Sequence, residues 1–270
     1  SVVAVDELGL VRGVGDGYGI VKVAARGIEA VNVFTVDTDP VIPLKDQKGF
    51  EVDVYPRAIN LPLGGQRQLK VTLPEGTNIS SSAYGTRYFI SDASVAEISA
   101  DGLIRARGAG ITMVSIIHEG RQHDIKLVVQ VPVEGAAQVN NKTGASVQDA
   151  QGNVLMVAPG ALPTGTTVSI QAKDLASLDI PLPGAGNQSG LGLVEINLSN
   201  TKTQLPLQLA VKVQGEINPA TGEPEVLEAG TEVLFWKRGT IRDPQGVEHE
   251  TWWLVDNGVT PYPTLERITH

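Results

Sequence analysis

The sequence predicts an all-β protein: small β-sandwiches in tandem, with a β-sandwich of a different kind at the C-terminal end. Three observations predict it. First, 30 Gly and 16 Pro interrupt the 270 residues throughout, which favours many short strands and turns over long helices. Second, 41% of the chain is hydrophobic but only 4% is aromatic. The core is therefore built from Val, Ile, Leu and Ala, and such thin cores suit small sandwiches. Third, the chain repeats itself. Residues 1–27 align without a gap on residues 94–120, an offset of 93 from Ser1 to Ser94. The identities are Ser1/Ser94, Val2/Val95, Gly9/Gly102, Leu10/Leu103, Arg12/Arg105, Gly15/Gly108, Gly17/Gly110, Val21/Val114 and Gly27/Gly120. That offset is the size of one small sandwich domain.

The elements follow in order. In residues 1–36, the runs around Ile20, Val21, Val23 and Ala25 and around Val31, Val33 and Val36 read as two strands. Val31 and Val33 alternate with Asn32 and Phe34 at period two. Gly27, Ile28 and Glu29 read as the turn between them. No counterpart of the first half of the repeat precedes this segment, so it is expected to be the C-terminal half of a domain and the chain a piece of a longer polypeptide. Residues 37–48 are polar and carry two prolines, the pattern of a semi-rigid linker. Residues 49–132 form a complete copy. It opens with two strand-like runs about Leu63, Gly64 and Gly65 and closes on a strand through Leu127, Val128, Val129 and Val131. From residue 133 to 270 the pattern changes, with turn signals every eight to ten residues. Residues 191–200 and 206–215 alternate at period two, 174–190 read as a long Pro/Gly loop, and 232–239 and 251–258 read as a hairpin pair around 242–250.

Composition excludes several classes of function. The net charge of −9 is spread along the chain without a basic patch, so nucleic acid is not an expected partner. The chain has no cysteine, which rules out disulfides, Cys-ligated zinc and thiol catalysis. It has no apolar run of about 18 residues, so no membrane-inserting helix is expected.

The repeated motif is Val, then an Asp or Ser three residues before Gly-Leu-Val/Ile-Arg, then Gly-x-Gly and an alternating strand. It spans Val2 to Gly17 in one copy and Val95 to Gly110 in the other, and it resembles the group 2 bacterial immunoglobulin-like domain. The run from Ile59 to Leu73 and the Ser-Asp-Ala-Ser at 91–94 match further parts of that family's pattern. Within the motif, Gly9-Leu10 and Gly102-Leu103 read as a tight turn that returns a Leu to the core. Leu103 is therefore expected to be buried, with a cost of about 2–5 kcal/mol for Leu103→Ala. Residues 152–166, which contain Pro-Gly-Ala-Leu-Pro-x-Gly-Thr, are similar to the opening of the β-sandwich shared by zonula occludens proteins, netrin receptors and ankyrins. The late Trp-bearing strands fit that module's close. The two resemblances imply tandem immunoglobulin-like sandwiches followed by a second sandwich type.

Candidate sites are few, and each has a plain structural alternative. Gly13, Gly15 and Gly17 lack the third spacing of a dinucleotide loop, and a strand rather than a helix follows them. The histidines His118, His123, His249 and His270 show no helical i, i+4 pair; His118 and His123 flank a hairpin turn and read as surface residues. Glu248, His249 and Glu250 read as a solvated loop. Asp37 and Asp39, with Asp6 and Glu7, are candidate calcium ligands that would stiffen the linker; the alternative is an acidic linker. Trp252 and Trp253 are adjacent, so they point to opposite faces of a strand. With Trp236 they are the candidate contact surface, for a sugar ring or a neighbouring domain.

No nucleophile–base pair, metal cluster or phosphate loop emerges, so no enzyme and no cofactor other than calcium is expected. The expectation is a structural or adhesive segment of a large bacterial cell-surface or secreted protein. Its partners would be neighbouring domains of the same long chain and a host-surface protein or glycan. The alternatives are a scaffold ahead of a tyrosine–aspartate repeat toxin shell, a carbohydrate-binding accessory module, and a phage or virion decoration.

Overall fold

The structure is a computed structural model that describes residues 1–37, 52–181, 190–213, 220–222, 232–255 and 266–267. Those residues are strands joined by turns, with short 3-10 turns at Ser82–Tyr84 and Leu175–Ser177. The all-β expectation holds. Among the described residues no helix is long and apolar enough to cross a membrane. The chain forms two compact units. Unit 1 holds Ser1–Pro132, Asn140–Ser146 and Met156–Gly160; unit 2 holds Val133–Val139, Val147–Leu155 and Ala161–His270.

Unit 1 opens with β1 (Val3–Val5) paired to β2 (Val11–Gly13), and β3 (Gly17–Ala25) paired to β4 (Ile28–Val36), both antiparallel. The connection of β3 to β4 is two residues long. Arg26 at φ 52° and Gly27 at φ 82° take the left-handed backbone of a type I′ turn, so Ala25 pairs with Ile28. Ile28 and Glu29 are strand residues, not turn residues as the sequence suggested, because a I′ turn needs only its two central positions.

The rest of unit 1 carries β5 (Asp53–Tyr55), β6 (Ile59–Pro62), β7 (Gln66–Gln68), β8 (Lys70–Thr72), β9 (Arg87–Ile90), β10 (Ala96–Ile98), β11 (Leu103–Ala106), β12 (Gly110–His118) and β13 (Arg121–Gln130). One sheet has the order β6-β13-β12-β9; the other strands form β10-β11-β7 and the pair β5-β8. The pair β6–β13 is parallel, with Ile59 opposite Leu127 and Pro62 opposite Gln130. Ile59, Leu61, Val71, Ile104, Val114, Ile116 and Leu127 are buried in one aliphatic cluster between the sheets. Burying a side chain of this size is worth roughly 1.5–3 kcal/mol.

The sequence repeat is also a repeat of register. Val3 pairs with Gly13 as Ala96 pairs with Ala106, and Gly17 pairs with Val36 as Gly110 pairs with Val129. Glu119 (φ 46°) and Gly120 (φ 79°) remake the Arg26-Gly27 turn. One expectation is corrected: Leu103 is only half-buried, and Leu10 is 52% exposed, whereas Ile104 is fully buried. Gly102, at φ 83°, ends the turn. Leu103 then starts the strand, and period-two alternation sends Ile104 and Ala106 inward. Val131 likewise lies beyond β13 and is 63% exposed.

The remaining strands are β14 (Val133–Glu134), β15 (Ala136–Gln138), β16 (Ala145–Gln148), β17 (Val154–Val157), β18 (Thr167–Lys173), β19 (Leu193–Asn197), β20 (Gln208–Ala210), β21 (Glu232–Val233), β22 (Trp236–Arg242), β23 (Glu248–Leu254) and β24 (Glu266–Arg267). They form the sheets β14-β16-β17-β20 and β15-β18-β19 and the pairs β21-β24 and β22-β23. Among the described residues of the 206–215 alternation, the strand is the short β20.

One turn recurs in both units. It runs Asp or Ser, two residues, Gly at positive φ, then a residue that starts the returning strand or immediately precedes it. Asp6 Oδ1 accepts from the N–H groups of Leu8 and Leu10; Ser99 Oγ from Asp101 and Leu103; Asp149 Oδ1 from Gln151 and Asn153; Asp243 Oδ1 from Gln245 and Val247. The closing glycines are Gly9, Gly102, Gly152 and Gly246, with φ from 81° to 86°. The side-chain oxygen takes up backbone donors that the tight turn leaves unpaired.

Candidate functional site

The tryptophans lie on the β22–β23 hairpin. Trp236 pairs with Leu254, Lys237 with Trp253, and Arg238 with Trp252. Trp252 is half-buried, and its indole N–H donates to the Pro181 carbonyl at 2.9 Å. Trp253 points to the other face and is 46% exposed. Its ring covers Gly239 so closely that a Cβ there would stand 2.4 Å from Trp253 Cδ1. A strand glycine roofed by a diagonal aromatic is a stable cross-strand arrangement. Lys237, Arg238, Gly239, Trp253, Leu254 and Val255 line an open cleft of about 430 Å³. An indole with one face to solvent beside an ammonium group can stack on a flat or apolar ligand surface.

The opposite face of the hairpin is charged. Arg238 bridges Asp179 at 3.0 Å and Glu250, and Arg242 meets Glu248 at 2.6 Å. The hydrogen bond from Arg238 holds the Asp179 carboxyl below its usual range. The sequence placed Glu248, His249 and Glu250 in a loop; they are instead the first residues of β23. Alternation turns the two carboxylates to one face and His249 to the other, where His249 Nε2 meets Asp243 Oδ2 at 2.9 Å. The three side chains do not converge, so acid–base chemistry between them has no geometric basis.

Of the calcium candidates, Asp37 is exposed, and Asp39 lies outside the described residues, as does His270. Asp6 serves its own turn, as above. Among the described residues no three His, Asp or Glu side chains stand together as a metal site. Of the histidines expected at the surface, His123 is half-buried and His118 is buried, at 6% exposure. His118 Nδ1 lies 3.1 Å from Thr86 Oγ1, and that hydroxyl donates to the Ile79 carbonyl at 2.6 Å. The single hydroxyl proton is thus committed, so His118 Nδ1 carries the hydrogen of the other bond.

Buried polar residues that the sequence reading did not single out are more tightly held. Asn60 is fully buried on β6. Asp149 is 7% exposed and binds, besides its own turn, the Asn153 amide at 2.8 Å and the Ala172 N–H at 2.7 Å. Asn153 Oδ1 in turn accepts from the Lys212 N–H at 2.8 Å. Burial pushes the Asp149 carboxyl up, but the donors from Asn153, Ala172 and Gln151 together outweigh it and hold the group below its usual value. In the sequence, the one signal for Asp149 and Asn153 was the turn pattern with Gly152. Nothing local marked Asn60.

No family model and no curated protein matches the chain. Solved structures of the S-layer protein SbsC align with it. Domains 4 and 5 align at 19% identity over 47% of this chain and 65% of that one, with a TM-score of 0.25. Domains 4–9 align at 14% identity over 86% of this chain and 39% of that one, with a TM-score of 0.28. The chain thus spans less than two thirds of the length of either structure. Scores this low do not establish a common fold over the aligned lengths.

Proposed function

We propose that this chain is a non-enzymatic structural segment of a large bacterial cell-surface or secreted protein, a spacer assembled from β-modules. The observation that carries the reading is the recurrence of hairpin register at an offset of 93 residues, down to the two-residue I′ turns. A chain that reuses one supersecondary unit in series works by reach and surface. In this reading residues 1–36 and 49–132 are group 2 bacterial immunoglobulin-like modules, and residues 133–270 are a sandwich akin to the zonula occludens, netrin receptor and ankyrin module. The exposed Trp253 face is the contact surface for a glycan or a neighbouring protein, and calcium at Asp37 and Asp39 remains the candidate linker ligand. The test is antibody labelling of intact source cells with serum raised against the chain, together with the mass of the native polypeptide. Surface labelling of a polypeptide much longer than 270 residues is the expected result. Labelling only after permeabilisation, with no secreted form, overturns the reading.

A further inference from the structure

Asn60 stands at the middle of a junction built entirely within unit 1. Its neighbours Ile59 and Leu61 enter the aliphatic core, so alternation turns Asn60 to the opposite face of the sheet. There its Nδ2 lies 3.0 Å from Gln130 Oε1, 3.2 Å from the Thr143 carbonyl, 3.1 Å from that of Ala145 and 3.2 Å from that of Val157. Four acceptors around one amide nitrogen fix which end of the side chain faces them, since the opposite orientation would set oxygen against oxygen. The approach of residues 143–145 depends on Gly144. It has φ 69°, and a Cβ there would stand 1.8 Å from the Val157 carbonyl oxygen. The strand β6 is consequently buried on both faces, and water does not compete for its hydrogen bonds.

The direction of β6 gives this burial a mechanical consequence. β6 runs parallel to β13 from Ile59–Leu127 to Pro62–Gln130, and the Leu63 N–H extends the ladder to the Gln130 carbonyl at 3.0 Å. Tension applied before β6 and after β13 pulls the two strands past each other along their length. All the ladder bonds, the Asn60 contact with Gln130 on β13, and the hold of the Thr143, Ala145 and Val157 carbonyls on Asn60 must then fail together. The same strands pulled apart from their shared end at Leu63 and Val131 open one bond at a time.

We propose that the parallel β6–β13 pair, pinned by buried Asn60, is a tensile clamp that sets the resistance of unit 1 to forced extension. Its biological use rests on the reading of the chain as a segment of an extended surface protein; the clamp itself is measurable whatever the answer to that question. The chain has no cysteine, so introduced cysteines serve as unique pulling handles on the full chain. Arg57→Cys with Val131→Cys loads the pair in shear; Leu63→Cys with Val131→Cys peels it. All three positions are solvent-exposed. Rupture is identified by the extension of the freed segment, at about 3.4 Å per residue, and the force reports the unfolding rate under load. The shear force is expected to exceed the peel force several-fold. Asn60→Leu, which keeps bulk but removes the donor, should bring the shear force down toward the peel force and leave the peel force unchanged. Gln130→Ala should do the same in smaller measure, and it decides the matter if the Asn60 variant does not fold. Equal forces in the two geometries, or substitutions that lower both in proportion, overturn the clamp.

Discussion

Single residues in this chain divide by whether their partner is local. Ile104 and Leu103 are neighbours of similar size with opposite fates, because the turn glycine Gly102 sets which one faces the core. Ile104→Ala should therefore cost about 2–5 kcal/mol, and Leu103→Ala only about 1 kcal/mol, since it removes a half-buried side chain. Urea unfolding of both variants checks this, and equal costs would contradict the register. Asp149 carries a pH dependence with a definite sign. Its folded pKa lies below the unfolded value of 3.8, so its stabilisation is complete above that value and is lost as pH falls through the folded pKa. Asp149→Asn should lose about 1–3 kcal/mol at pH 7, in line with hydrogen bonds to a charged group. The gap to the unsubstituted chain should close as the pH drops below 3.8. A gap independent of pH would mean that the charge plays no part. His118 and Asn60 were illegible in the sequence for the same reason that they matter: their partners lie 32 and 97 residues away at the extremes, and no local pattern announces a distant carbonyl.

At the level of elements, the turns were the most readable feature. Gly9, Gly27, Gly102 and Gly120 sit at repeated positions, and all four adopt positive φ, which other residues enter only at a cost of about 1–2 kcal/mol. The acceptor at the head of the turn is a second local rule. Asp6 and Ser99 occupy equivalent places and hold equivalent N–H groups. Asp6→Ser should accordingly change stability by less than about 0.5 kcal/mol, whereas Asp6→Ala, which leaves the turn donors to water alone, should cost about 1 kcal/mol. Thermal melts of the two variants separate these outcomes. Where the sequence reading misplaced strand ends, it did so by one to three residues. Glu248 to Glu250 were assigned to a loop because they are charged, yet a two-stranded hairpin with a solvated face accepts charges and pairs them across the strands.

For the molecule as a whole, the longest pairings are hairpins between consecutive strands, but the pairings that close the sheets of unit 1 join distant parts of the chain. β6 meets β13 only after the intervening strands have been laid down, and Asn60 waits for Val157. Loop-closure entropy has to be overcome before those contacts stabilise anything. Folding of unit 1 is therefore expected on the scale of milliseconds to seconds, roughly as for other sandwiches, and stopped-flow circular dichroism measures it. Complete folding within microseconds would show that local hairpins, rather than the β6–β13 closure, limit the rate.

The sequence by itself determined the all-β class, the 93-residue repeat and the turns, because alternation and positive-φ glycines are properties of a few consecutive residues. Only the tertiary structure decided that Ile104 rather than Leu103 is core, that β6 lies parallel to β13, and that Asn60, His118 and Asp149 are buried with partners. Each of those depends on which strand lies beside which, and that choice is made by burial and hydrogen bonding summed over the whole unit.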